Sequence, residues 1–268
     1  MVTGAISSID AKDIENTSAP RVEQVLQGQT SGVSVVSSSG APGSASKIRI
    51  RGAGSNGNSD PLYIVDGIKV SSIDNISPND IANLEVLKDA ASSAIYGTQG
   101  ANGVIIITTK QGKVGATVVS YSTQIGSQSV RTGMDLMNAS QFVTYFQEAG
   151  QSQVVDNGIN TNWLDESFRS AFTQRHDLSI SGATEKTAFY FSGSYIDQEG
   201  VIGDDSGYKI FTGRLNLKTQ VKDWLEIGTN ITYSNIGSSP IAEDDSTGGI
   251  VNHALIIDPL TPVIYTGD

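Results

Sequence analysis

The sequence predicts a small α+β domain over residues 1–114, followed over residues 115–268 by long antiparallel β-strands. Two observations indicate the first domain: its elements are short and mixed, and Val104–Thr109 is apolar enough to be a strand buried on both faces. A third observation indicates the second unit. After about Gly115, apolar and polar residues alternate over segments of about ten residues, which is the period of β-structure.

The first third of the chain predicts a helix, a strand and a second strand in succession. Thr17 to Pro20 is a helix-start signal, and the apolar face that follows ends at Gly28. Val33 to Val36 is apolar and β-branched, so it predicts a short strand. Lys47 to Arg51 alternates basic residues with isoleucine, so the two isoleucines face inward and the basic residues face a polar environment.

The remainder of the first domain is rich in turn and cap signals. Leu62 to Val70 predicts a hairpin, because Asp66-Gly67 is a favoured two-residue turn. Ser77 and Pro78 predict a helix N-terminus, and Asp89 predicts the cap of a second short helix. Gly97 stands where the end of that helix needs a positive φ.

The second unit predicts about five strands joined by short turns at Glu185-Lys186 and Lys222-Asp223. Their apolar faces carry Val119, Tyr121, Ile125; Leu178, Ile180; Phe189, Phe191, Tyr195; Phe211, Leu215, Leu217; and Leu225, Ile227, Ile231, Tyr233. Opposite Phe211, Leu215 and Leu217 the strand carries Ser, Thr, Asn, Gly and Arg214. Between the first two strands, Asn138 to Ala149 predicts an amphipathic helix, and Trp163 to Phe172 a further one.

Two architectures share this alternating pattern. A soluble antiparallel sandwich and a transmembrane β-barrel both place apolar residues on one strand face and polar residues on the other. Periodicity alone favours the sandwich because it is the commoner architecture. The small polar residues opposite the apolar face favour the barrel.

Composition excludes several classes of function. The net charge of −11 argues against nucleic acid as a partner. The chain has no cysteine and only two histidines, so no metal site, cofactor site or catalytic constellation can be nominated, and we expect no enzyme. The sequence contains no run of eighteen apolar residues, so it predicts no transmembrane helix.

One motif has the spelling of a dinucleotide fingerprint. Residues 52–57 read G-x-G-x-x-G after a strand. A nucleotide-binding turn must open a helix, whereas Asn58-Ser59-Asp60-Pro61 and another strand follow. The motif therefore predicts a flexible glycine loop.

Three motifs in order resemble a known family. KIRIRGAG from Lys47, DPLYIVDG from Asp60 and EVLKDAASSAIYGTQGANGVIIITTKQG from Glu85 are similar to the plug domain of SusC-like TonB-dependent outer-membrane transporters. The resemblance covers about residues 2–113, and Asn162 to Ile202 resembles the first barrel segments of the same family. It implies an α+β plug domain followed by antiparallel β-strands of an incomplete transmembrane β-barrel.

The resemblance also implies function. The full transporter is expected to import oligosaccharides or peptides, with a SusD-like surface lipoprotein as lid, the TonB–ExbB–ExbD complex as motor, and outer-membrane lipid around the barrel. The loop containing Gly52, Gly54, Ser55, Asn56 and Asn58 is expected to face the substrate. Arg49 and Arg51 are expected to pair with barrel carboxylates and lock the plug.

Length sets a further expectation. About 22 strands of about ten residues need more than ~200 residues, and about 150 follow the plug, so we expect a fragment without a signal peptide that neither closes a barrel nor transports by itself. The expected location of the full transporter is the outer membrane of a Gram-negative bacterium. The alternative is a soluble module that binds a glycan or a protein.

Overall fold

The computed structural model describes residues 6–15, 17, 21–52, 58–89, 93–131, 133–203, 205–241 and 249–264. Their strands form two five-stranded sheets and one two-stranded sheet. The strands of the first domain are β1 (Ile6–Asp10), β2 (Val33–Ser37), β3 (Ser46–Ile50), β4 (Leu62–Val65), β5 (Ile68–Val70), β6 (Ile81–Leu87) and β7 (Val104–Thr109). Among its described residues, two α-helices have both ends defined, α1 (Ala11–Glu15) and α2 (Val22–Val25).

The central sheet of the first domain has the order β1-β6-β7-β4-β5. Strand β7 is antiparallel to β6 and parallel to β4, so it has neighbours on both sides. Ile105 and Ile107 are fully buried in the core, and Ile106 is half-buried in a smaller apolar cluster on the other face. The prediction of a strand enclosed on both faces is confirmed.

The predicted hairpin is also confirmed. Strands β4 and β5 pair through Val65 and Ile68 across the Asp66-Gly67 turn. Both turn residues have positive φ, 49° for Asp66 and 83° for Gly67, as this turn type requires. The isoleucines of β3 are buried as predicted, at 1% and 6% exposure.

Of the two predicted helices of this region, the one that starts at Ser77 is largely wrong, and residues 90–92 of the one capped by Asp89 lie outside the described residues. The Ser77 side chain does accept a hydrogen bond from the Asn79 N–H, but only one 3-10 turn, Pro78–Asp80, follows before β6 begins. Pairing of β6 with β1 on one side and β7 on the other outweighs the local helix signal. Beyond Asp89, Ala94–Gly100 is 3-10 helix; Gly97 has the predicted positive φ of 62°.

The N-terminal helix starts later than its sequence signal. Helix α2 has Arg21 at its N-cap and is followed by buried Leu26 and by Gly28 with φ of 75°. Of the predicted start signal, residues 18–20 lie outside the described residues.

The second unit is an antiparallel sheet of order β12-β11-β10-β9-β8. Its strands are β8 (Gly115–Gln128), β9 (Ala171–Ala183), β10 (Thr187–Glu199), β11 (Gly207–Lys222) and β12 (Leu225–Ser239). One apolar row crosses all five strands in register and consists of Val119, Ile180, Phe191, Leu215 and Ile231. Among the described strands, β8 and β12 each have a single neighbour, so the sheet is open.

The two ends of this sheet differ. Short turns lie at residues 184–186 and 223–224, as predicted. At the opposite end of the sheet, which we call the loop end, β8 ends and β9 begins, β10 ends and β11 begins, and β12 ends. Helix α3 (Ala139–Glu148) has a complete capping box at Asn138, while α4 (Trp163–Ser167) ends earlier than predicted because β9 begins at Ala171. Helix α5 (Ile250–Ile256) packs near α4, and Trp163 Nε1 donates to the Asp258 carbonyl at 3.0 Å.

Within the described ranges, no helix is long and apolar enough to cross a membrane.

Candidate functional site

The inner face of the five-stranded sheet carries small polar residues and holds the first domain. One row across the strands reads Ser122, Asp177, Ser194, Thr212 and Ser234, and the next reads Ser120, Ser179, Ser192, Arg214 and Thr232. Several of these side chains are buried in the contact, including Ser192, Ser194, Thr212 and Arg214. Buried polar groups need partners, and the first domain supplies them.

The first anchor joins the Ser77–Asp80 turn to β9. Arg175 Nε donates to Asp177 Oδ2 at 2.7 Å, and Arg175 Nη2 donates to Ser77 Oγ at 2.8 Å. Asp177 also accepts from Asn79 Nδ2 at 2.8 Å and from Ser77 Oγ at 3.1 Å. Asn79 Nδ2 reaches Ser122 Oγ on β8 at 3.2 Å. The N-cap serine predicted from the sequence therefore also binds the opposite sheet.

Asp80 extends this anchor to β10. It is 4% exposed, and its Oδ1 accepts from the Tyr190 hydroxyl at 2.8 Å. Burial raises the pKa of the Asp80 carboxyl above its usual range, against the opposing influence of its hydroxyl donors. The hydrogen bonds that Asp80 accepts therefore stabilise its ionised form.

We expect Tyr190→Phe to lower the free energy of unfolding by about 1–3 kcal/mol, because it removes a donor from a buried carboxyl group. Tyr195→Phe is the matched control, since its hydroxyl binds Asp197 on the outward face of the same strand. Native-state hydrogen exchange of residues 78–87 in the chain measures the effect. Equal effects of the two substitutions would contradict a role for Tyr190 in the anchor.

The second anchor joins the β4–β5 turn to β11. Arg214 Nη2 donates to Asp66 Oδ2 at 2.6 Å, and the two side chains are 5% and 9% exposed. Asp66 also accepts from the Thr109 N–H at 2.8 Å and from the Thr109 hydroxyl at 2.7 Å. Asn216 Nδ2 donates to Thr109 Oγ1 at 2.8 Å and to the Lys110 carbonyl at 2.9 Å. A buried, hydrogen-bonded ion pair thus fastens the ends of β4 and β7 to the sheet.

The arginines predicted to form the lock lie elsewhere. Arg49 Nη1 contacts Asp60 Oδ1 at 2.5 Å within its own domain, and Arg51 is an exposed residue with φ of 58°. The Asp66–Arg214 ion pair, which joins the first domain to the sheet, has the reverse arrangement. Its arginine is on the strand and its aspartate is on the first domain. Arg49 thus makes an ion pair within its own domain, and the expected pairing of Arg49 and Arg51 with barrel carboxylates stays a prediction.

The predicted substrate-contact loop is described only at its ends. Gly52 has φ of 87°, and Asn58 lines an open cleft of about 850 Å³ together with Arg49, Asp60 and Asn102. Asn58 Oδ1 accepts from the Asp60 N–H at 2.8 Å, and Asn102 Nδ2 donates to the Asn58 carbonyl at 3.0 Å. Gly54, Ser55 and Asn56 lie outside the described residues. Contact with substrate stays a prediction for all five.

A second plug-side loop was missed from the sequence. Residues 38–42, Ser44 and Ala45, between β2 and β3, line a pocket of about 750 Å³ at the loop end, which we call the loop-end pocket. Its other walls are Phe168, residues 200–202 and residues 239–241. The signal was present as the serine, glycine and proline content of SSSGAPGSA, but nothing local indicates which surface such a loop contacts.

Comparison with known proteins now identifies the two units. The family described as TonB-dependent Receptor Plug Domain matches residues 1–104. TonB-dependent receptor P26 of Formosa agariphila is 36% identical over the whole chain, and TonB-dependent receptor SusC of Bacteroides thetaiotaomicron is 34% identical over the whole chain. The chain belongs to the SusC-like TonB-dependent receptors. It spans 28% of the length of either relative.

Solved structures show the same fold for this SusC-like chain. The RagAB peptide importer in its closed-closed state matches 97% of the chain and 34% of its own, with 28% identity and a TM-score of 0.85. The siderophore receptor PirA of Acinetobacter baumannii, at 18% identity and a TM-score of 0.59, shares the fold alone. The first domain is thus the plug, and β8–β12 are barrel strands.

Proposed function

We propose that this chain is the gating part of an outer-membrane importer, in which the plug closes the pore until it is moved. The observation that carries the proposal is the buried Asp66–Arg214 pair, which with the Ser77–Asp80 anchor ties the plug to the strands through polar groups. Water can replace such hydrogen bonds when the contact opens, whereas an apolar contact would expose its whole area at a larger cost.

The proposed cargo is an oligosaccharide, with peptides as the second class. The support is likeness to receptor SusC and to an importer whose name states that it carries peptides. The loop-end pocket, together with the Gly52–Ser59 loop, is the proposed surface for substrate. The relatives are named as receptors and importers, and we propose no catalytic activity for this chain.

The proposed partners are a SusD-like surface lipoprotein and the TonB–ExbB–ExbD complex, acting on the longer receptor in the outer membrane of a Gram-negative bacterium. RagAB supports the first of these, since its name describes a two-component importer. We also propose that the plug ends by residue 114: β7 ends at Thr109, and β8 begins at Gly115.

A reversible cross-link tests the gate. Asn79 Nδ2 and Ser122 Oγ lie 3.2 Å apart across the plug and β8, and the chain has no native cysteine. In cells producing the receptor that contains this chain, the double variant Asn79→Cys/Ser122→Cys is expected to lose uptake of fluorescent oligosaccharides or peptides when oxidised and to regain it after reduction. Each single variant is the control.

Full uptake by a completely cross-linked receptor would overturn gating by the plug. The soluble binding module remains the rival, and it predicts a chain that folds as a monomer in buffer with a cooperative melt. We expect instead that the chain needs detergent, because β8 to β12 present an exposed apolar face.

A further inference from the structure

Two carboxyl groups share one arginine inside the plug: the Glu23 side chain is buried, and the Asp74 side chain is 43% exposed. Glu23, in α2, is 4% exposed, and its side chain is within hydrogen-bond reach of Asp74. Arg21 serves both: Nε and Nη2 contact the Glu23 carboxyl oxygens at 3.4 Å, and Nη2 contacts Asp74 Oδ1. Arg21 Nη1 also donates to the carbonyls of Gly43 at 2.8 Å and Ser44 at 3.1 Å.

The charges of this cluster balance only if it holds a proton. One guanidinium faces two carboxyl groups, so full ionisation would leave a net negative charge beside the buried Glu23 side chain, while the exposed Asp74 carboxylate is solvated. Burial and the hydrogen bond to Asp74 raise the pKa of Glu23 from its usual 4.5 to about 7. The pKa of Asp74 is held below its usual range by hydrogen bonds and by Arg21, against the opposing effect of burial. The opposite directions of the two shifts place the proton on Glu23 and the negative charge on Asp74 below about pH 7.

We propose that Glu23 and Asp74 hold one proton between them, and that this proton closes a latch which joins α2, the Ser72–Asp74 segment and the Gly43–Ser44 loop. The latch consists of Arg21, Glu23, Asp74 and the two carbonyl groups that Arg21 binds. Loss of the proton places two carboxylates side by side, which disfavours the closed arrangement.

The position of the latch gives it a consequence. Ser44 lines the loop-end pocket, Glu23 and Asp74 line the 850 Å³ cleft, and Ala45 lines both. On the strand side, the Tyr208 ring lies against Gly43, so closely that a Cβ on Gly43 would approach Tyr208 Cδ2 to 2.1 Å. The latch therefore holds the wall between two cavities and the plug loop against which Tyr208 lies.

The other groups that face Glu23 leave this balance unchanged. Tyr63 of β4 is neutral, since burial and nearby carboxylates raise its pKa to about 12. Tyr208 of β11 contributes a second phenol close to Arg21 and Glu23. Arg49 and Asp60 lie farther along the cleft and neutralise each other. Arg21 is thus the cation that contacts the pair among the described residues.

The direction of the pH effect follows from where the proton binds. In the closed latch Glu23 keeps its proton up to about pH 7, whereas in an open latch it would release it near pH 4.5. Between these values the closed form binds more protons, so opening becomes easier as pH rises. From pH 6 to pH 8 the opening equilibrium is expected to rise about tenfold and to level off above that.

Hydrogen exchange of the full chain in detergent micelles tests the latch. Exchange of residues 38–46 and 71–76, corrected for its intrinsic pH dependence, is expected to increase about tenfold from pH 6 to pH 8. Glu23→Gln mimics the protonated form and should abolish the increase. Its infrared difference from the unaltered chain at pH 6 should contain one protonated-carboxyl band that is absent at pH 8. Glu226→Gln, an exposed carboxyl paired with Lys218, is the control and should keep the increase.

Asp74→Asn keeps the test decisive if Glu23→Gln does not fold. Without the neighbouring carboxylate, burial still raises the pKa of Glu23 but the contribution of Asp74 is lost, so the step should move to lower pH. A step unchanged in both variants, or no step in the unaltered chain, would overturn the proposal. Only the effect of the latch on transport rests on the proposed gating function. Hydrogen exchange of the chain tests the latch itself and does not depend on the result of the uptake experiment.

Discussion

Replacing Arg214 by methionine is expected to lower the free energy of unfolding of the plug by about 3–5 kcal/mol, because Asp66 is then buried without its cation. The carboxylate is 9% exposed and would keep only the Thr109 donors and a distant Asn230 amide. Native-state exchange of the β7 amides in the full chain should accelerate roughly a hundredfold or more.

Lys218→Met is the matched control, since Lys218 lies on the same strand face but is half exposed and pairs with exposed Glu226. Exposed pairs of this kind contribute about 0–1 kcal/mol. The double variant Asp66→Asn/Arg214→Met should recover much of the loss, because asparagine tolerates the positive φ of the turn and carries no charge. An Arg214→Met effect no larger than that of Lys218→Met would show that the ion pair does not hold the plug.

The parts of the fold that the sequence predicted are those decided within a few residues. The β4–β5 hairpin depends on one turn, β7 on six consecutive residues, and the five barrel strands on an alternation that repeats over each strand. Strand β6 shows the limit of this reasoning. Ser77 does cap a turn, but the residues after it are decided by two neighbouring strands, which a local signal cannot reveal.

The candidate site was harder to predict because its contacts are distant in sequence. Asp66 and Arg214 are 148 residues apart, and the chain offers 28 acidic residues as partners for any arginine. The sequence placed Arg214 on the polar face of its strand and Asp66 in a turn, both correctly. It could not show that the turn and the strand meet. The lock that the resemblance implies at Arg49 and Arg51 is a separate prediction, and Arg49 also pairs inside the plug.

The second large effect on stability is expected at Gly112. This residue lies in the segment between Thr109 and Gly115 that joins the plug to β8. The chain crosses the ends of β9 and β10 there so closely that a Cβ on Gly112 would approach the Gly182 carbonyl oxygen to 2.1 Å and the Phe189 carbonyl oxygen to 2.5 Å. Both are backbone atoms of paired strands, so they cannot move aside as the end of a flexible side chain could. Asn216 holds the preceding Lys110 carbonyl at 2.9 Å, which leaves the crossing little freedom.

Gly112→Ala is therefore expected to destabilise the chain by about 3 kcal/mol, the upper part of the range for overpacking, and to displace the start of β8 from Ala183. Gly40→Ala is the matched control, because it adds the same methyl group to a plug loop where nothing lies within 4 Å. Exchange of residues 104–109 and 115–120 in the full chain measures both variants. Faster exchange in Gly112→Ala but not in Gly40→Ala would show that the close packing at Gly112 stabilises the contact between the plug and β8, and that adding a methyl group to a loop is not enough to weaken it. Equal exchange in the two variants would contradict the close approach.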